Sequence, residues 1–210
     1  MSPRTSPVCG TLCLIPACRY VQAGLEALGQ QHGHRVDILA HRGDMLRLFP
    51  LNYKLVACDL SGGLAASLDR LSLLGALLRL RSATPPPVVL ITRRMPAWLY
   101  GTLMHAAGYV TYQPELWVVD DRAPLGDLVP LTAGTVPAGC QRLLPHAGSP
   151  LAPGLTPREL SVMVAMLGGE TVRAQAARLG ITTGTVHSHR HAGLRKLGML
   201  RKGSQHEVPA

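Results

Sequence analysis

Short hydrophobic runs alternate with longer amphipathic stretches through the first 120 residues of the chain. The runs have the length of strands, and the stretches between them carry apolar residues at helical spacing. The predicted strands are 11–15, 35–39, 55–59, 88–92 and 109–112, and the predicted helices are 19–29, 45–49, 64–80 and 97–107. This alternation predicts a parallel sheet covered on both faces, in a doubly wound, flavodoxin-like α/β domain.

A second pattern begins near residue 155, where three apolar stripes follow helical periodicity. The stripes lie in 160–167, 172–179 and 186–197, and glycines follow the first two. Glycine is favoured just after a helix, so these positions mark helix ends. A short turn at 179–182 then leads into the third helix, which predicts an all-α helix-turn-helix domain.

The third predicted helix has one apolar side and one polar, cationic side. Thr182 is a good N-cap, because its hydroxyl can accept a hydrogen bond from a first-turn N–H group. The side opposite Val186 carries small, polar and cationic residues, namely Gly184, Ser188, His191 and Arg195, flanked by His187 and Ala192. The DNA major groove admits a single helix of this kind and presents donors and acceptors to it.

Four motifs in this order resemble the C-terminal domain of LuxR/FixJ-type (NarL-type) transcription regulators. They are LTPRE at 155–159, AxxLGIT at 176–182, TVxxH at 185–189 and RKLG at 195–198. The resemblance implies that His187, Ser188 and His191 read DNA bases. It further implies residues that hold phosphates or position the helix, and these are Thr182, Thr185, Arg190, Arg195 and Lys196.

The sequence departs from this family at several points. Gln175 stands on an apolar face where an aliphatic residue is usual. Gly184 and Gly193 lie inside the third helix, and each costs roughly 1 kcal/mol relative to Ala. The family adds a fourth helix that pairs two subunits, whereas residues 200–210 are short, polar and interrupted by proline.

The resemblance extends upstream, because an α/β domain followed by this helix-turn-helix is the layout of a response regulator. Asp59 then matches the phosphoacceptor of the receiver domain, and Thr92 matches its hydroxyl residue after the fourth strand. The expected division of the chain is a receiver-like domain, a linker, a LuxR-type DNA-binding domain and a polar tail, at 1–133, 134–154, 155–199 and 200–210.

The rest of the receiver chemistry is missing from the sequence. Receivers hold Mg²⁺ with an acidic pair after the first strand, but the first acidic residue of this chain is Glu26. They also use a lysine after the fifth strand, and no lysine lies between Lys54 and Lys196. We expect Tyr112 at the lysine position, or Asp120 if residues 116–120 form the fifth strand.

A lone carboxylate binds Mg²⁺ poorly, since this ion needs several oxygen ligands in octahedral geometry. Without the metal and the lysine, the charge of a transferred phosphoryl group is not balanced. Asp59 and Thr92 are therefore predicted to be vestigial, and we expect neither a bound metal nor a cofactor.

Charge and cysteine content refine this interpretation. The net charge is +9, and residues 151–210 hold eight Lys or Arg and three Asp or Glu, which favours double-stranded DNA as a partner. The five cysteines fit no zinc spacing. We expect them to be small buried hydrophobic residues, while the crowding of Cys9, Cys13 and Cys18 leaves a redox or metal role open.

Two functions from different classes remain. The leading one is a sequence-specific, DNA-binding transcriptional regulator whose receiver-like domain serves dimerisation or partner docking, as a homodimer or a heterodimer with a LuxR/FixJ-type regulator. The alternative is an inhibitor that pairs with a related regulator and does not bind DNA.

An enzyme is not expected, because nucleophile-elbow, P-loop and metal-ligand motifs are missing. Neither a membrane span nor a signal-peptide layout is evident, so we expect a cytoplasmic protein.

Overall fold

The computed structural model describes residues 10–47, 53–80, 85–108, 115–144 and 154–200. Its amino-terminal part is built on a six-stranded sheet with the order β2-β1-β3-β4-β5-β6. The strands are β1 (Thr11–Ile15), β2 (Arg35–Ile38), β3 (Tyr53–Asp59), β4 (Val88–Ile91), β5 (Leu116–Val119) and β6 (Gln141–Arg142). The first five pair in parallel and β6 is antiparallel to β5, so the predicted doubly wound α/β fold is confirmed.

Helices cover both faces of this sheet. They are α1 (Arg19–Gln31), α2 (Leu64–Arg79), α3 (Trp98–Ala107) and α4 (Leu125–Thr132), with a short 3₁₀ helix at Arg42–Leu46. Leu12 and Leu14 of β1 pack on the face of α1 and α4, while Cys13 and Ile15 pack on the face of α2 and α3. This division follows from the alternation of side chains along a strand.

The fifth strand differs from the leading sequence prediction. Residues 109–112 lie outside the described residues, and the strand that pairs with β4 is Leu116–Val119. Asp120, and not Tyr112, therefore follows the fifth strand. The antiparallel strand β6 was not predicted, because its two residues are exposed and carry no hydrophobic pattern. Since β6 lies within the predicted linker 134–154, part of that segment belongs to the sheet.

The carboxyl-terminal part contains α5 (Pro157–Leu167), α6 (Val172–Leu179) and α7 (Thr183–Lys196). Each begins at a threonine whose hydroxyl accepts a hydrogen bond from a first-turn backbone N–H: Thr156, Thr171 and Thr182. Gly180 ends α6 in the left-handed conformation, with φ 63°. The predicted helix-turn-helix is confirmed, and residues 201–210 of the predicted polar tail lie outside the described part.

The two parts of the chain share one hydrophobic core. Leu160 and Met163 of α5 are buried in the same cluster as the leucines of α2 and α3. The N–H of Leu155 donates to Oγ1 of Thr102 at 2.9 Å, and Nδ1 of His105 donates to the Leu155 carbonyl at 3.1 Å. Helix α2 is therefore covered by the sheet on one side and by α5 on the other, which explains its leucine content.

Candidate nucleic-acid interface

Helix α7 presents one polar face to solvent, and we call it the outer face. It consists of Gly184, His187, Ser188, His191 and Arg195, all of which are exposed. On the opposite side, Val186 and Gly193 are buried against the other helices. The three residues predicted to read bases thus lie at the surface of one helix, together with an exposed cation.

The start of α7 is fixed by two threonines. Oγ1 of Thr182 accepts the N–H of Thr185 at 3.1 Å, and the two hydroxyls hydrogen-bond each other at 2.9 Å. Thr182 is exposed and Thr185 is half-buried. The remaining N–H groups of this first turn carry the positive end of the helix dipole, which suits a phosphate.

Arg190 points toward α6 and is held there by two hydrogen bonds. Its Nε donates to Oε1 of Gln175 at 3.2 Å, and its Nη2 donates to the Glu170 carbonyl at 2.9 Å. Gln175 is 0% exposed, and its Nε2 donates to the same carbonyl at 3.3 Å. The polar residue on the apolar face of α6 is therefore hydrogen-bonded, and it ties α7 to α6.

Lys196 makes a second inward contact, with α5. Its Nζ lies 2.7 Å from Oε2 of Glu159, and the two side chains are 23% and 9% exposed. The same carboxylate accepts the N–H of Thr156 at 2.7 Å. Burial raises the pKa of Glu159, but the hydrogen bond from Lys196 and those at Thr156 outweigh it, so the pKa lies below its ordinary value.

Gly193 allows α5 and α7 to approach each other closely. A Cβ atom at this position would lie 2.6 Å from Cγ and 2.7 Å from Sδ of Met163, which is fully buried. The close packing of α5 against α7 therefore favours glycine at this position, and this outweighs its low helix propensity. Gly184 differs, because a Cβ there would meet only Oγ1 of Thr182, at 3.7 Å.

The sequence of this three-helix unit decides its family. Residues 153–202 match the luxR family of bacterial regulatory proteins (GerE). The match covers about a quarter of the chain and includes α5, α6 and α7 in full. The protein thus carries a luxR-family helix-turn-helix region behind an α/β sheet domain.

Solved structures of the response regulator RcsB are similar to this chain over most of its length. The chain is similar to the RcsB of an RcsB–DNA complex, at 16% identity and TM-score 0.54, over 92% of this chain and 94% of that one. It is also similar to RcsB from Salmonella enterica serovar Typhimurium bound to promoter rprA, at 16% identity and TM-score 0.52, over 91% and 94%. A structure of the Salmonella typhimurium RcsB response regulator is similar to the chain at 15% identity and TM-score 0.51, over 92% of both chains. At these identities the likeness shows the fold.

No curated protein matches the chain in sequence. Among the described residues, no helix is both long enough and apolar enough to cross a membrane.

The sheet domain in front of the luxR-family region places Asp59 at the carboxyl end of β3, where it is 1% exposed. Its Oδ2 accepts the N–H of Ala17 at 3.3 Å, and its Oδ1 accepts the N–H of Ser61 at 2.8 Å. Thr92 is also buried, and its Oγ1 accepts the N–H of Arg94 at 3.3 Å. Asp59 therefore acts as a hydrogen-bonding acid that joins two loops at this edge.

The cysteines only partly follow their predicted burial. Cys13 and Cys58 are buried, whereas Cys140 is half-buried and Cys18 is exposed ahead of α1. Burial raises the pKa of Cys58, and nearby Arg70 opposes this only in part. Cys9 lies outside the described residues. Within the described part, no three His, Cys, Asp or Glu side chains converge to hold a metal ion, which includes the histidines of α7.

Sequence reasoning did not single out Arg173, an exposed cation in the first turn of α6. The sequence could have indicated this residue. The first helix of a helix-turn-helix crosses the DNA backbone, so a cation at its start can meet a phosphate. The nearby Arg178 differs, since it pairs with Glu170 at 3.0 Å.

Proposed function

We propose that the protein is a sequence-specific, DNA-binding transcriptional regulator of the cytoplasm. The observation that carries this proposal is the exposure of the outer face of α7 while α5 is packed against the sheet domain. The described residues of both parts leave this face open, so among them no contact has to be broken for DNA to reach it. The DNA complexes of the structurally similar RcsB are consistent with this use of the fold.

Within this proposal, His187, Ser188 and His191 read base edges in the major groove, where side-chain donors and acceptors discriminate base pairs. Arg195 contacts phosphates, and Thr182 and Thr185 place the start of α7 near the backbone. The inward contacts of Arg190 and Lys196 favour a positioning role for both, since each cationic group is already held by a partner within the protein.

We further propose that the sheet domain, residues 1–133 with β6 added, serves dimerisation or partner docking and does not act as a phosphorylation switch. Asp59 and Thr92 are then vestigial. Ala17 and Asp120 support this, because they stand at the ends of β1 and β5 where receivers carry an acid and a lysine. Neither supplies the charge needed beside a phosphoryl group.

A mobility-shift titration of the full chain with genomic DNA fragments tests the DNA-binding proposal. The protein should retard a subset of fragments at submicromolar concentration, and His191→Ala should lose the preference among them. Retardation of no fragment, together with tight binding to a co-regulator of the same family, would instead support the inhibitor alternative. The exposed Gly184 in the first turn of α7 favours that alternative, because it weakens the helix.

The assembly proposal is tested by light scattering on the full chain and on a chain ending at residue 144. A dimer in both, alone or with a related regulator added, is expected if the sheet domain holds the pairing surface. A dimeric full chain with a shortened chain that stays monomeric under both conditions would move the pairing surface to the luxR-family region.

A further inference from the structure

An open cleft of about 610 Å³ lies at the carboxyl edge of the sheet, between the loops after β3 and β4 and the end of α7. It is lined by residues of both parts of the chain, among them Arg93, Arg94, Trp98 and Asp121 of the sheet domain and Leu197 of the luxR-family region. A volume of this size is typical of sites for small organic molecules.

Much of the lining is apolar. Leu71 and Leu99 are buried beneath it, and the half-buried Trp98 and Leu197 border it from the sheet domain and from the luxR-family region. An indole ring and a leucine side chain offer a flat, water-excluding surface to a ligand. A simple inorganic ion would leave this surface uncovered, so the lining favours a ligand with an apolar body.

The charged groups of the cleft have unequal roles. Nε of Arg93 lies 3.1 Å from Oδ1 of Asp121, so these two charges balance each other. Asp59, which precedes the lining residue Leu60 in the chain, directs its oxygens to the backbone N–H groups of Ala17 and Ser61. Arg94 is exposed at the rim and makes no salt bridge with another described residue. It is therefore the cation available to a ligand.

We propose that this cleft binds a small organic anion, with its acidic group on the guanidinium of Arg94 and its apolar body against Trp98 and Leu197. The guanidinium fork matches the paired oxygens of carboxylate and phosphate groups, and a sulfonate presents a similar set of charged oxygens. This site goes beyond the proposed DNA binding, and its occupation does not depend on it.

Such a ligand would touch the end of the DNA-reading helix. Leu197 is the C-cap residue of α7, directly after Lys196, which is paired with Glu159. A ligand that shifts Leu197 changes how α7 is held, so ligand and DNA affinities become coupled, and each changes the other by the same factor. The cleft would thus supply an input in place of phosphorylation.

The test uses the fluorescent probe 8-anilinonaphthalene-1-sulfonate, which joins a sulfonate to an apolar ring system, with its uncharged analogue N-phenyl-1-naphthylamine. The full chain should bind the sulfonate probe at one saturable site. Arg94→Gln should weaken it about tenfold, through loss of a charge-assisted hydrogen bond, and leave the uncharged analogue unaffected. Arg142→Gln, on the exposed strand β6, is the matched control and should bind like the natural protein.

Inorganic phosphate at millimolar concentration distinguishes an organic anion from a free phosphate. Failure of phosphate to displace the probe supports the proposal, whereas displacement at those concentrations would contradict the need for an apolar body. Equal binding of the sulfonate probe by Arg94→Gln and the natural protein, or no saturable binding at all, would overturn the site. None of these outcomes depends on whether the protein binds DNA.

Discussion

The two glycines inside α7 lie in opposite surroundings, and this difference can be measured. Gly184→Ala adds a methyl group in open space and should stabilise the fold by about 0.5–1 kcal/mol through helix propensity. Gly193→Ala forces a methyl group against the buried Met163, and overpacking should outweigh the propensity gain, for a net loss of about 1 kcal/mol.

Urea unfolding of both variants and of the natural chain shows whether each substitution raises or lowers the free energy of unfolding. Stabilisation by both substitutions would show that Met163 yields without cost and that Gly193 is simply a weak point of the helix. The pair forms its own control, because the same chemical change is made at two positions of one helix.

At the residue scale, the sequence predicted which side chains of α7 are exposed but not what the others contact. Periodicity placed Ser188 and His191 opposite Val186, and a helix of this length has little freedom to differ. It could not show that Gln175 meets Arg190, because that contact joins residues 15 positions apart on two helices. Such pairings depend on the angle between helices, which local periodicity does not encode.

At the scale of elements, the contact between Gln175 and Arg190 should couple α6 to α7. Arg190→Ala leaves the buried Oε1 of Gln175 without a donor and should destabilise the fold by about 1–3 kcal/mol. Combining it with Gln175→Leu should cost less than the sum of the two single changes, by at least about 0.5 kcal/mol.

Thermal or urea unfolding of the natural chain, the two single variants and the double variant gives the four free energies of this double-mutant cycle. Arg195→Ala is the control, because the side chain is exposed and its removal should change stability by less than about 0.5 kcal/mol. Additive effects of the two changes would contradict a direct interaction between Gln175 and Arg190.

The contact between α5 and α7 predicts a dependence on pH. The folded state lowers the pKa of Glu159, so its contribution is fully present above the ordinary value of 4.5 and is lost as the pH falls through the lowered pKa. Glu159→Gln should therefore lose stability relative to the natural chain at pH 7, and the difference should shrink between pH 4.5 and the acid limit of folding. A difference that is constant over this range would rule out the ion pair with Lys196 as its cause.

Elements were predicted with uneven success, and the reasons are physical. Strands β1, β3 and β4 are mostly buried and contain continuous apolar runs, whereas the edge strand β2 alternates polar and apolar residues, and the sequence located all four from these patterns. The fifth strand was misplaced because both 109–112 and 116–119 carry β-branched or aromatic residues, and pairing with β4 decides between them. The edge strand β6 has no apolar residue to reveal it.

At the scale of the whole molecule, the sheet domain and the luxR-family region pack as neighbours through α2, α3 and α5. Gly154 lies against the backbone of Gly101 and Thr102, where any Cβ atom would collide. The sequence indicated a proline- and glycine-rich linker here, but it gave no sign of the shared core. That core contains leucines from both parts of the chain. Helical periodicity, read for each part alone, assigns them to two separate cores.

Because neither an acidic pair follows β1 nor a lysine follows β5, Asp59 should not act as a phosphorylation switch. Incubation with acetyl phosphate and Mg²⁺, followed by intact-mass measurement, should show no stable adduct. A reporter assay should give the same regulation for Asp59→Asn as for the natural chain, since the amide oxygen still accepts the N–H of Ser61 and only the longer contact with Ala17 is lost. A phosphoryl adduct at Asp59 combined with lost regulation in the variant would contradict this.

The central claim, that the outer face of α7 binds DNA, is tested most directly by the salt dependence of binding for the natural chain, Arg195→Ala and His191→Ala. We predict that Arg195→Ala weakens binding to all DNA sequences and reduces the slope of log K against log salt by about one unit. His191→Ala should cost roughly 1–3 kcal/mol on the preferred site alone and leave the slope unchanged. Unchanged affinity and slope in both variants would contradict the placement of α7 on DNA.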